Sequence, residues 1–259
     1  MSFDLEHEMF SATQMEEVAV IRFKGNLLFQ FSDLYLKEAL FDHLHKVSHS
    51  RDIKVILFFG SPDKIRRQET IQFFRDLSQP GVDVKRVTRI YNSINQLILM
   101  IQRIQKLVIH ADTGEVGSLF MNISLACDYR IVGDKTVFQY PTIELGLVPK
   151  GGGVLFLSRI LGESKTLELL LSGDDVDAAH ALAFGLVNQV VPSAMLEASA
   201  LETARKFAQK PMRLITGVKK LQHLISKDLP VFLELENQIL LEAIASERFR
   251  KRLNKHLQV

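Results

Sequence analysis

One cysteine stands in 259 residues. A lone thiol excludes an intrachain disulfide and favours a reducing setting, the cytoplasm. Cys127 lies in the apolar run 123–127; a reactive thiol needs an electropositive, accessible site, so a buried, inert one is expected. No uncharged apolar run reaches the ~18 residues that would indicate a membrane span. Residues 1–8 are polar and acidic, without the basic start and apolar stretch of a signal peptide. Excess charge is also missing: a formal net charge of +2 is too balanced for the clustered basic face of a nucleic-acid binder. Neither nucleic acid nor a membrane is an expected partner.

Several chemical signatures are absent as well. No GxGxxG follows a strand-like run, so a dinucleotide fold has no support. No GxSxG elbow is present, which removes the usual hydrolase triad. Lys150-Gly151-Gly152-Gly153 has lysine before its glycines, whereas a phosphate loop needs the order GxxxxGK[ST]. His45 and His49 are four apart but lack HExxH or nearby cysteines, so they read as a solvated helix face and no metal is expected.

What is present is the pattern of a folded α/β protein. At 47% hydrophobic and 24% charged residues, the chain is too apolar and too balanced to be disordered. Strand-like runs at 18–23, 54–59, 107–111, 129–132, 136–140 and 187–191 alternate with helical stripes. Leu36, Leu40, Leu44 and Val47 form one stripe, with Ser32 as its expected cap. Ile90, Ile94, Leu97, Ile98, Ile101 and Ile104 predict a helix over 88–105, and 121–127 reads as a buried helix. Gly117-Ser118 reads as a turn and 79–85 as a surface loop. The alternation implies a mainly parallel sheet with right-handed crossovers.

From Ala194 the pattern is helical, and Pro192, Pro211 and Pro230 divide it into about three helices. The layout is a core over 1–192 and a helical region over 193–259. Residues 229–241 are apolar enough to pack on another subunit or to fold back on the core, and oligomerisation is expected. Arg248, Arg250, Lys251, Arg252 and Lys255 read as a solvated helix end, with a phosphate contact as the alternative.

The segments LACDYRI (125–131), FQYPTIELGLVPKGGG (138–153), LSRILG (157–162) and LELLLSGDDVDAAHALAFGLVNQVVP (167–192) resemble the crotonase (enoyl-CoA hydratase/isomerase) superfamily. Order, spacing and residue types agree without gaps from Lys106 to Pro192. The resemblance implies an α/β spiral of ββα units with a C-terminal helical region that trimerises, often as dimers of trimers. It implies an acyl-CoA thioester as partner, with coenzyme A present only as part of the substrate and no separate cofactor. It also implies an oxyanion hole of two backbone N–H groups, one at the start of a buried helix, aimed at a developing enolate.

Carried over residue by residue, the helix-start donor falls on the N–H of Leu119, beside Gly117. The family's glycine run here is Ser118-Leu119-Phe120, which adds bulk. The first donor falls in a shortened loop, 59–63, with Ser61 or Gly60 as candidates, since Pro62 has no N–H. The coenzyme-contacting loop falls on Lys24-Gly25-Asn26. The two hydratase glutamates fall on Asn122 and Thr142, neither of which titrates near neutrality, so these two would orient substrate and standard hydration is not expected. Glu144 stands where relatives that isomerise dienoyl thioesters carry an aspartate; it is either a proton-shuttling base or a salt-bridge residue. His110 and Asp112, two apart on a strand, share a face; they are either replacement acid–base groups or a buried pair serving each other. Two functions follow: an acyl-CoA enzyme working through a thioester enolate, by isomerisation or other proton-shift or lyase chemistry, or a degenerate homologue that binds acyl-CoA or a protein partner.

Overall fold

The computed structural model describes residues 3–31, 33–62, 67–77, 84–225 and 227–255. Strands β1 (Leu5–Glu6), β2 (Phe10–Met15) and β3 (Val18–Phe23) lead to helices α1 (Leu27–Gln30) and α2 (Leu34–His49), then to β4 (Val55–Phe59). Helices α3 (Arg67–Leu77) and α4 (Val84–Arg103) precede β5 (Leu107–Asp112), β6 (Glu115–Gly117) and α5 (Ser118–Ala126). Next come β7 (Tyr129–Gly133), β8 (Val137–Gln139), α6 (Pro141–Glu144), α7 (Gly153–Leu161) and α8 (Glu163–Ser172). Strand β9 (Val176–Asp177), α9 (Ala178–Ala183) and β10 (Gln189–Val191) complete the sheets. Helices α10 (Leu196–Ala208), α11 (Met212–Ile225), α12 (Leu229–Ala245) and α13 (Glu247–Lys255) end the chain.

The larger sheet runs β1-β2-β3-β4-β5-β7-β10. Pairing is antiparallel from β1 to β3 and parallel from β3 to β10. A second sheet joins β6, β8 and β9. Successive turns of chain therefore give one strand to each sheet, β5 then β6, and β7 then β8, which is the spiral the motifs imply. Central strands are apolar on both faces because both are covered. Val18, Val20, Val55, Leu57, Ile109 and Ala111 meet α10, while Ala19, Ile21, Ile56, Phe58 and Val108 face the main core. Ala200, Ala204 and Ala208 let α10 lie close on the sheet, so the helical region begins as part of the core.

Several sequence expectations are corrected. Gly117-Ser118 is not a turn: Gly117 is extended (φ −70°, ψ 163°) and β6 passes directly into α5. The expected loop over 79–85 ends at Val84, where α4 begins, and the rest of it lies outside the described residues. Ser32 also lies outside them; Asp33 caps α2, its carboxylate accepting from the Tyr35 and Leu36 N–H groups. Among the described residues four α-helices, rather than about three, follow Pro192. The extra break is at Ser246, which is extended (φ −75°, ψ 147°) and whose hydroxyl accepts the Phe249 N–H at 3.2 Å, a serine cap that proline counting overlooks.

Helix α12 resolves the packing alternatives for 229–241 in part. Leu229, Leu233, Glu236 and Leu240 are buried, packed back against α4, whereas Val231, Leu235 and Ile239 are exposed. Cys127 is buried, and burial pushes its thiol up. Among the described residues no helix is long and apolar enough to cross a membrane.

Candidate active site

The start of α5 forms one wall of a cavity. Gly117, Ser118, Leu119 and Phe120 line it, with Asn122 one turn further on. The first N–H groups of a helix have no intrahelical partner, and the glycine N-cap of α5 supplies no side-chain acceptor. Those donors and the positive end of the helix dipole are therefore directed at whatever occupies the cavity. Opposite stand Thr142 of α6, Thr70 and Phe74 of α3, Tyr91 and Ile94 of α4, and Lys150. Asn26 and Leu28, just past β3, close one end.

The cavity has a volume of about 40 Å³. Phe120 is turned into the core, its ring edge-on to Phe23 at 6.4 Å, but both it and Leu119 still form wall. Two buried polar atoms among the lining residues, Asn122 Oδ1 and Thr142 Oγ1, have no hydrogen-bond partner among the described residues. Such groups are costly unless a ligand or water satisfies them.

Asn122 also organises the loop before α7. Its amide donates to the Lys150 carbonyl. Gly151 and Gly152 take left-handed angles (φ +77° and +78°), which favour glycine. A Cβ on Gly153 would stand 2.7 Å from Asn122 Oδ1. The glycine run thus packs a backbone against Asn122 rather than cradling phosphate.

Behind Lys150 lies a buried polar cluster that the sequence reading missed. Lys150 Nζ donates to Asn237 Oδ1 at 2.7 Å and stands 3.7 Å from Glu236 Oε2. Glu236 Oε2 accepts the Gly152 N–H at 3.1 Å, and the Asn237 amide donates to Asn92 Oδ1 at 2.9 Å. Burial lowers the Lys150 amine to about 8, against the pull of Glu236. Burial likewise raises Glu236 to about 7, opposed by Lys150. The available signal was Glu236-Asn237 between Leu233 and Leu240, on the apolar stripe of the helix.

The structure does not bring all the sequence candidates together. Glu144 is outside the cavity lining; its carboxylate pairs with Arg67, which also meets Asp175 at 2.5 Å. His110 and Asp112 are buried on one face of β5, His110 Nε2 standing 4.0 Å from Asp112 Oδ2, and neither lines the cavity. Ser61 is fully buried, and its hydroxyl donates to the Gly25 carbonyl at 2.7 Å. Ser61, Gly60 and Asp112 line a separate groove at the carboxyl ends of the parallel strands. Gly60 cannot be an oxyanion donor, because its N–H bonds the Ala111 carbonyl at 3.0 Å. Lys24 is occupied elsewhere, by Glu6 and the His7 carbonyl. His45 and His49 are exposed neighbours on α2, and the described residues hold no metal-like cluster. Arg252 approaches Gly146, placing part of the basic helix end over the turn after α6.

The family model for "Enoyl-CoA hydratase/isomerase" matches residues 13–258. A probable mitochondrial enoyl-CoA hydratase of Dictyostelium discoideum is 35% identical over 148 residues, 54% of this chain and 53% of that protein. A trans-2-decenoyl-[acyl-carrier-protein] isomerase of Streptococcus mutans is 32% identical over 115 residues, 44% of each chain. The matches thus span about half the length of these curated relatives. Among solved structures, an enoyl-CoA hydratase from Bacillus halodurans superposes with a TM-score of 0.80 at 20% identity, covering 95% of this chain and 99% of that one. With a family match running over nearly the whole length, the chain belongs to the enoyl-CoA hydratase/isomerase family of the crotonase superfamily.

Proposed function

We propose that the cavity at the start of α5 receives the thioester carbonyl of an acyl-CoA and stabilises its enolate. The observation behind this reading is that the α5 N-terminus shares one cavity with Asn122 and Thr142, whose buried Oδ1 and Oγ1 have no hydrogen-bond partner among the described residues. The Leu119 N–H serves as oxyanion donor, and Asn122 and Thr142 orient the acyl group. A second donor from the Ser61 region requires Ser61 and the cavity to approach each other on binding. Neither Asn122 nor Thr142 can act as general acid or base near neutral pH, so the reaction is a proton shift, isomerisation or lyase chemistry rather than hydration by two carboxylates. Glu144, bound by Arg67, is assigned to holding α6 against α3.

The experiment is deuterium wash-in at the α-carbon of butanoyl-CoA in D₂O. Leu119→Pro removes one N–H in the first helical turn, where proline is tolerated. It is expected to slow wash-in by about 100-fold or more; an unchanged rate would refute the oxyanion role.

The rival reading, a homologue that keeps the fold but not turnover, draws on one observation: the side-chain-bearing residues Leu119 and Phe120 form part of the cavity wall. The protein is further proposed to be cytoplasmic and to assemble as a trimer or dimer of trimers. Support for assembly comes from α11, whose Leu214, Val218 and Leu221 are 56%, 47% and 68% exposed along one helical stripe.

A further inference from the structure

Lys150 is the one lysine among the described residues that line the cavity, and it is only 7% exposed. Its Nζ is fixed from three sides: by Asn237 Oδ1 at 2.7 Å, by Glu236 Oε2 at 3.7 Å, and by the Tyr91 ring, whose centre is 5.5 Å away. Asn237 is itself oriented, because its amide donates to Asn92, which leaves its oxygen turned to the amine. Tyr91 also lines the cavity. Glu236 Oε1 has no hydrogen-bond partner among the described residues.

We propose that Lys150 is the proton-transferring catalytic residue of this cavity, with Glu236 as the positioning residue that holds its amine in place. The proposal rests on the thioester-enolate reading above and supplies the acid–base group that Asn122 and Thr142 cannot.

Burial moves the two groups towards each other, the amine down to about 8 and the carboxyl up to about 7; the amine remains the stronger base, and its neutral form is supplied as pH rises through about 8. The ionisable groups facing Nζ are Glu236 on α12 and Tyr91 on α4, with Glu234 acting at longer range. Burial pushes the Tyr91 phenol up, so it stays neutral. The amine lone pair takes a proton from the carbon beside the thioester carbonyl. That C–H bond breaks, an N–H bond forms, and the electron pair moves onto the carbonyl oxygen, opposite the α5 N-terminus. The ammonium then returns the proton to the same carbon, or to the γ-carbon of an unsaturated chain, which moves the double bond and regenerates the amine. No oxidant or co-reactant enters.

The test uses wash-in of deuterium into butanoyl-CoA by the full-length protein, with calorimetric binding of the same thioester as a second readout. Lys150→Arg keeps the charge but cannot release a proton near neutral pH. It is expected to lose wash-in by about 100-fold or more while its Kd stays within about threefold, a shift under ~0.7 kcal/mol. Lys150→Met/Glu236→Gln removes both ionisable groups and is expected to lose wash-in likewise, should a single neutral substitution prevent folding. Glu236→Gln removes the carboxylate that favours the protonated amine, so the rise of wash-in with pH should move to lower pH. Wash-in by Lys150→Arg at the wild-type rate would overturn the role of Lys150 and leave the enolate reading standing. Loss in Glu144→Gln with Lys150→Arg intact would return the role to Glu144. Binding of butanoyl-CoA with no wash-in by the wild type would overturn both readings.

Discussion

The side-chain amide of Asn122 on α5 donates to the backbone carbonyl of Lys150. The position that the family resemblance marks for a hydratase glutamate therefore clamps the loop that carries Lys150, a residue of the cavity lining. Asn122→Ala leaves that carbonyl without its donor and should cost about 1–3 kcal/mol in urea unfolding. Asn122→Asp should cost more at higher pH, because an ionised carboxylate has no donor to offer the carbonyl and only its protonated form can replace the amide. Equal loss for Asn122→Asp in mildly acidic and mildly alkaline buffer would show that the clamp is not the reason for the residue.

The buried Lys150–Glu236 pair gives a pH signature with a definite sign. Glu236 is raised to about 7 in the fold, so its contribution is most favourable below the unfolded value and is lost as pH rises through the folded one. Lys150→Met removes the amine that offsets this and raises Glu236 further. The variant should match or exceed wild-type stability near pH ~5, where wild type must bury a charged amine, and fall below it near pH ~8. Denaturant midpoints at both values measure it; the same loss at both would contradict the pairing.

Leu119 forms part of the cavity wall, while its N–H is independent of its side chain. Leu119→Ala should therefore keep acetyl-CoA affinity and improve that for a longer enoyl-CoA by about tenfold, the scale of one or two methylenes in an apolar site. Calorimetric titration of both thioesters checks this. Equal change for both would place the acyl chain elsewhere.

The stripe Leu214, Val218 and Leu221 on α11 is predicted to be covered by a second copy of the chain. Leu214→Glu/Leu221→Glu should convert a trimer or larger assembly to a monomer in sedimentation velocity, since charges are excluded from interface cores. An unchanged sedimentation coefficient would remove α11 from the interface.

The sheet was legible because both faces of its central strands are covered. Residues 18–23 and 54–59 read as nearly unbroken apolar runs, and β3 and β4 lie there. Strand β2 was missed: its FSATQM sequence mixes buried Phe10 and Ala12 with partly exposed polar residues, and its pairing with β3 is a tertiary choice. The α5 cavity could be anticipated from motif positions, which is why Leu119, Asn122 and Thr142 fall together. Lys150, Glu236 and Asn237 could not, because the loop before α7 and the middle of α12 are about 85 residues apart and each reads as a local oddity. Glu144 shows the converse: nearness in sequence to Thr142 does not put a side chain on the same side of α6, and Arg67 holds it elsewhere.

The most direct test of the account is calorimetric titration of the folded protein with acetyl-CoA and a longer enoyl-CoA, against free CoA. The account predicts micromolar binding that depends on the acyl group and is weakened by Leu119→Pro. No binding of any thioester by a protein shown to be folded would contradict it and would point to a retained fold that serves a protein partner instead.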